Sequence, residues 1–173
     1  PHQVENAGAA LAALRSLGIG EAGTEAAVTR AVWPARMQRL RRGPLVEAAP
    51  AADIWLDGGH NPAGGQALAA TLARMPERRT HLVCGMLNTK DITGYLVPLA
   101  ARAEDLRAVS IPNAPATLPA EETAGAARAA GLNAHVCKSV LAAVEEIANS
   151  DPDSRILICG SLYLAGEVLR DNG

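Results

Sequence analysis

The 173-residue chain is long enough for one domain with a real core plus an appended piece, and too short for two full-sized domains. A hydrophobic share of 49% and a charged share of 20% exclude disorder as the default. With 16 Lys and Arg against 18 Asp and Glu the net charge is -2, which leaves no global field for nucleic acid or an anionic membrane.

In chain order, the first signal is "PHQVENAGAALAALRSLGIG", where Ala7, Ala10, Leu11, Leu14 and Leu17 recur at helical steps and Gly18 follows as a stop. "EAGTEAAVTRAV" suggests a second short helix. "WPARMQRLRRGPLVEAA" changes texture: apolar residues interleave with Gln and Arg, Gly43 and Pro44 make a turn, and "LVEAA" resumes, which fits a small hairpin.

From residue 53 short apolar runs alternate with longer amphipathic stretches. "DIWLD", "THLVCGM", "LRAVSI", "NAHVC" and "RILICG" read as strands. "AGGQALAATLARM", "ITGYLVPLAAR", "PAEETAGAARAAG", "KSVLAAVEEIANS" and "SLYLAGEVLRD" read as the helices between and after them. This alternation predicts an α/β fold: a Rossmann-like, mainly parallel sheet with helices on both faces, preceded by a helical connector.

Cys84, Cys137 and Cys159 form no Cys-x-x-Cys pair and sit in or beside apolar runs, so they read as buried free thiols of a reducing compartment. His2, His60, His81 and His135 show no metal spacing, and no zinc site is expected. No apolar stretch reaches membrane-spanning length and the start lacks a signal-peptide pattern, which predicts a cytoplasmic chain. Two Trp, two Tyr and no Phe give little material for base-stacking platforms.

Ligands of open parallel sheets bind where strands end and helices begin. Three such junctions carry polar residues. In "DGGHNP" the carboxylate of Asp57 and the imidazole of His60 flank two glycines, while Asn61 and Pro62 suit the N-cap and first position of a helix. In "CGMLNTKD" Lys90 can meet a phosphate or carboxylate and Asp91 can cap a helix. In "ICGSLYLAGEVL" Gly160 ends a strand and Ser161 suits an N-cap. Arg36, beside the Trp33-Pro34 corner, can present a planar fork to phosphate. For each, a purely structural role as cap, turn or solvated charge stays open. Neither G-x-x-x-x-G-K-[ST] nor G-x-G-x-x-G occurs, and Ser161 lacks the G-x-S-x-G elbow of a hydrolase.

Taken in order, "HQVENA", "WPARMQ", "LDGGHNP", "GMLNTKD" and "GSLYLAGEVL" resemble the folylpolyglutamate synthase and dihydrofolate synthase ligases, relatives of the Mur ligases. The likeness spans residues 2 to 170, with Ala35 and Gly59 departing from the family's usual W-P-G-R and D-G-A-H-N-P. It implies that residues 1–31 are the last helix and connector of an ATPase domain and that 32–173 are the C-terminal ligase domain. The function implied is Mg2+- and ATP-dependent addition of L-glutamate to dihydropteroate or folate through an acyl phosphate. Alternatives are another Mur-type amino-acid ligase or a non-catalytic nucleotide-binding module.

The resemblance places Asn6, Arg36 and Asp57 on ATP and His60 at the reacting centre. Asn61, Lys90, Asp91 and Ser161 match family motifs, with ligand contact and helix capping both open. Magnesium ligands are expected in the preceding domain, and Pro1 without an initiator Met suggests a piece of a longer protein. The expected partners are that ATPase domain, glutamate and a pterin acceptor, with no nucleic acid and no membrane. The chain alone is expected to be inactive and the whole protein monomeric.

Overall fold

The computed structural model describes residues 2–172. The chain divides into two compact units, 1–34 and 35–173. The first consists of helices α1 (His2–Ser16) and α2 (Glu21–Thr29), separated at Gly18, whose φ of +75° ends α1 in the left-handed conformation that glycine adopts freely. Val4, Leu17, Val32 and Trp33 are exposed on this unit.

The second unit is an α/β layer structure. Its strands are β1 (Gln38–Arg39), β2 (Asp53–Leu56), β3 (Thr80–Cys84), β4 (Asp105–Ala108), β5 (Asn133–Val136) and β6 (Arg155–Cys159). Among the described residues they form one sheet in the order β1-β2-β6-β3-β4-β5, parallel except for β1. The connecting helices are α3 (Pro44–Ala48), α4 (Pro62–Leu72), α5 (Ile92–Ala100), α6 (Ala120–Ala129), α7 (Val140–Ser150) and α8 (Leu162–Asp171).

The two-residue period of the strands divides the core. Ile54, Leu56, Val83, Ile156 and Ile158 face α3, α7 and α8, where Leu45, Val144, Ile147 and Leu164 cover them. Leu82, Cys84, Leu106, Leu157 and Cys159 face α4, α5 and α6 and meet Leu68, Tyr95, Leu99 and Ala124. Both faces are therefore apolar, which is why β3 and β6 read as unbroken hydrophobic runs. Helices α4 and α5 approach closely because Gly65 has no side chain: a Cβ there would lie 2.2 Å from the Tyr95 carbonyl oxygen.

The expected hairpin at residues 33–49 is only half present. β1 pairs antiparallel with β2, but "GPLVEAA" forms α3 instead of a returning strand. Pro44 cannot donate to a ladder and suits the first helical turn, and Leu45 N–H is taken by Asn172 Oδ1 at 2.9 Å. The three thiols are free and buried, and a hydrogen bond with Cys159, reinforced by burial, holds the Cys84 thiol well above its ordinary range.

The amino edge of the sheet carries an ionic cluster. His81, 4% exposed, is held between Asp105 at 2.7 Å through Nδ1 and Asp151 at 3.1 Å through Nε2. The Asp105 hydrogen bond raises the imidazole above its ordinary pKa, burial opposes this, and Asp151 adds to the rise. Burial pushes the Asp105 carboxyl up, but hydrogen bonds from His81 and Arg107 outweigh it and leave the group below its usual value.

Because the folded imidazole holds its proton more tightly than the unfolded one, its stabilisation is complete below about pH 6.5 and disappears as pH rises through the raised value. His81→Gln should cost about 1–3 kcal/mol in denaturant unfolding at pH 6, and the deficit should shrink toward pH 8.5. A deficit independent of pH would contradict this assignment.

Gly160 gives a second expectation. At φ +107° a Cβ would lie 2.7 Å from the Gly85 carbonyl oxygen and 2.8 Å from Cys84 Sγ. Gly160→Ala should destabilise by more than about 2 kcal/mol. Gly166→Ala, inside α8 with open space around its Cβ, should instead stabilise by roughly 0.5–1 kcal/mol, as thermal melts of the two variants would show.

Candidate functional site

β6 lies between β2 and β3, so the segments following these three strands meet at one carboxyl edge. Asp57 N–H continues the β2 ladder to the Ile158 carbonyl at 2.9 Å, and Gly85 N–H reaches the Cys159 carbonyl at 3.3 Å. "DGGHNP", "GMLNTKD" and "GSLYL" are brought together by that arrangement.

Asp57 is 6% exposed, and its carboxylate is a structural tie before it is anything else. Oδ2 accepts from Met37 N–H at 2.8 Å and Oδ1 from Gly59 N–H at 2.7 Å. The first bond fixes the turn that carries Arg36; the second fixes the turn that carries His60. Gly58 N–H donates to the Ala35 carbonyl at 2.9 Å, which joins the two turns again.

Gly58 is needed for space. A Cβ there would lie 2.3 Å from Leu162 Cδ2 and 3.0 Å from Arg36 Nη1. Arg36 is half-buried, and its Nη1 donates to the Ala35 carbonyl at 3.1 Å.

Ala35 and Met37 hold φ of +55° and +44°. Ala35 thus adopts the left-handed backbone that glycine takes without strain, at a cost of roughly 1 kcal/mol. Gln38 supports this turn by accepting from Ala35 N–H through Oε1 at 2.9 Å. Its role was missed from sequence, although its place two residues after Arg36 in "WPARMQ" was a signal.

His60 Nδ1 lies 3.0 Å from the Gly58 carbonyl. A carbonyl only accepts, so Nδ1 carries the hydrogen and Nε2 keeps its lone pair in the neutral ring. Among the described residues no hydrogen bond to Nε2 is formed.

His60, Lys90 and Ser161 line one cleft of about 250 Å³, together with Thr89, Leu162 and Tyr163. Lys90 is exposed and forms no ion pair among the described residues. Ser161 Oγ accepts from Tyr163 N–H at 3.0 Å, which caps α8 and leaves the hydroxyl hydrogen available to a ligand.

Two of the motif residues are caps. Asn61 Oδ1 accepts from Gly64 N–H at 2.8 Å and Asp91 Oδ1 from Gly94 N–H at 2.9 Å. Asn6 lies on α1 in the other unit, with an exposed side chain.

Beneath the loop sits Tyr95, fully buried, whose hydroxyl lies near Cys159 without a well-formed hydrogen bond among the described residues. Burial raises the phenol well above its ordinary range, and Cys159, Cys84 and Asp57 add to the rise. Among the described residues no cluster of three or more His, Cys, Asp or Glu is placed to hold a metal, and no helix is long and apolar enough to cross a membrane.

The family model described as "Mur ligase, glutamate ligase domain" matches residues 35–162, inside the second unit. A folylpolyglutamate synthase of Lacticaseibacillus casei is 32% identical over 136 residues, covering 79% of this chain and 29% of the relative. A protein of Halobacterium salinarum named as a probable bifunctional folylpolyglutamate synthase/dihydropteroate synthase is 29% identical, over 96% of this chain and 20% of its own length.

Among solved structures, E. coli FolC in complex with DHPP and ADP has a TM-score of 0.74 at 28% identity, covering 95% of this chain and 38% of that one. Mycobacterium tuberculosis folylpolyglutamate synthase complexed with ADP has a TM-score of 0.71 at 28% identity, over 87% of this chain and 34% of that one. The chain spans under a third of the length of these curated relatives and little more than a third of the solved chains. On its sheet order, its strand-end motifs and these matches, the chain belongs to the Mur ligase family as a glutamate ligase domain.

Proposed function

We propose that this chain is the C-terminal domain of an ATP-dependent ligase that joins L-glutamate to dihydropteroate or folate. The observation that carries the reading is the convergence of His60, Lys90 and Ser161 on one cleft, beside the turn in which Asp57 fixes Arg36. In the reaction, an acceptor carboxylate takes the terminal phosphoryl group of ATP as ADP leaves, the glutamate amine attacks the acyl carbon, and phosphate leaves as the amide forms and the amine loses a proton.

The residues divide these tasks by chemistry. Arg36 neutralises phosphate charge, and the Asp57 carboxylate accepts from ribose hydroxyls. Asn6 contributes an amide to the nucleotide. Nε2 of His60 accepts a hydrogen bond from the neutral glutamate amine and orients its lone pair toward the acyl carbon. Lys90 attracts a glutamate carboxylate and the Ser161 hydroxyl donates to it, whereas Asn61 and Asp91 hold the loops by capping.

Magnesium ligands and the phosphate-binding loop belong, in this proposal, to an ATPase domain that residues 1–31 connect to the ligase domain. The setting is cytoplasmic and the whole protein monomeric. The buried free thiols suit such a reducing environment.

The test is kinetic and uses the full-length ligase. Lys90→Gln should raise the glutamate KM by roughly 10- to 100-fold with kcat nearly unchanged, as for loss of a charged hydrogen bond. His60→Ala should lower kcat more than it raises KM, and Asp57→Ala should weaken nucleotide binding. Residues 1–173 alone should not form the amide. Unchanged glutamate kinetics in both Lys90→Gln and His60→Ala would remove the reading, and preference for another amino acid would assign the cleft to a different Mur-type ligase.

A further inference from the structure

Arg155, at the amino-terminal end of β6, is 3% exposed. Nη2 donates to the Pro76 carbonyl at 2.9 Å and Nη1 to Thr80 Oγ1 at 3.4 Å, while Nε is buried without a hydrogen-bond partner among the described residues. No described carboxylate forms an ion pair with it. Its register partner on β2, Asp53, is already engaged by Arg39 at 2.7 Å and by Trp55 Nε1 at 2.8 Å. Burial pulls the guanidinium below its usual value, Asp53 offsets part of this through space, and Arg78 adds to the fall.

A buried cation without a counter-ion is expensive, and the usual remedy is an anion. Arg155 forms part of the wall of a cleft of about 430 Å³ between the α4–β3 and α5–β4 connections. Arg78, Arg79 and Arg102 line the same cleft, with Glu77 and Glu104. Arg79 is taken up by Asp151 at 3.4 Å and Glu104 at 3.8 Å. Arg78 and Arg102 are exposed and form no ion pair among the described residues.

Four guanidiniums therefore face two carboxylates in the lining. The C-terminal ends of α4 and α5 also border the cleft and take back roughly one unit of charge, and Asp151 takes up Arg79 from outside the lining, so the attraction for an anion is local to Arg155, Arg78 and Arg102. A planar fork and two exposed guanidiniums match the geometry of a tetrahedral oxyanion.

We propose that this cleft, at the sheet edge opposite the candidate ligase site, binds a compact phosphate-type oxyanion, with Arg155 as its fixed wall and Arg78 and Arg102 closing on it. The ligand is either free phosphate or a small phosphomonoester. The site does not depend on the ligase reading.

The experiment is calorimetric titration of the 173-residue chain with inorganic phosphate, and in a second arm with glycerol phosphate, against chloride at matched ionic strength. Saturable binding is expected, with a thermal midpoint raised by roughly 5 °C at about a hundredfold excess over the dissociation constant. The arm that binds more tightly identifies the source.

The Arg78→Ala/Arg102→Ala double variant should weaken binding at least tenfold while keeping the phosphate-free midpoint, and the binding event it removes should persist in Arg36→Ala, which alters only the opposite edge. Arg155→Met should abolish the phosphate-dependent rise; if that variant fails to fold, the double variant decides. The proposal falls if phosphate does no more than chloride. It also falls if binding survives in the double variant, or if it is lost with Arg36→Ala, which would place the anion at the other edge.

Discussion

The seating of β6 between β2 and β3 is the constraint on which the molecule depends. The chain runs from β2 through α4 to β3 and onward to β5, leaving a gap that only the last strand fills. Until it is filled, Ile54 and Val83 have no neighbour between them and the three strand-end motifs are separate loops. The insertion is possible because Gly160 can pass under Gly85 with no side chain, in a backbone conformation that favours glycine. The candidate site is thus completed by β6, through contacts distant in sequence.

Asp57 does for the site what β6 does for the sheet. One carboxylate accepts backbone N–H groups from two turns that lie 22 residues apart between Met37 and Gly59. A side chain held this way is pre-organised: Arg36 and His60 need no reorganisation relative to each other when a ligand arrives. The same bonds explain why Ala35 can remain at positive φ, since Gln38, Gly58 and Asp57 all fix the surrounding backbone. Loss of the carboxylate would loosen the geometry of both neighbours, so its effects on binding and on turnover are coupled.

Much of this was legible in the sequence. Apolar runs of strand length separated by helical stretches predicted the parallel sheet, because a strand buried on both faces must be apolar throughout. The motifs at strand ends were recognisable since glycine, Asx and Ser at those positions have local physical reasons. What stayed hidden was non-local. Strand order is not encoded in the pattern of any single strand, so the neighbourhood of Ser161, His60 and Lys90 could not be read. Nor could the division between caps and open groups: Asn61 and Asp91 spend an oxygen on a backbone N–H, while Ser161 keeps a hydrogen to give. The "GPLVEAA" segment misled because its apolar residues suit strand and helix alike, and only Pro44 favoured the helix.

The two edges of the sheet pose opposite electrostatic problems. At the carboxyl edge α4, α5 and α8 begin, so their N-termini favour anions, and Arg36 and Lys90 complement them while Asp57 and Asp91 are engaged by backbone N–H groups. At the amino edge α4 and α5 end, and their carbonyls favour cations. Arginines there offset that negative end, and Nη2 of Arg155 also ties down the following loop at the Pro76 carbonyl. The helix ends and water together account for exposed side chains such as Arg78 and Arg102. They do not explain a guanidinium buried at the start of a central strand with one donor unused, where a neutral residue of similar volume would cost less. The buried arginine, and not the basic rim, is therefore what distinguishes an anion-binding cleft from ordinary helix termination.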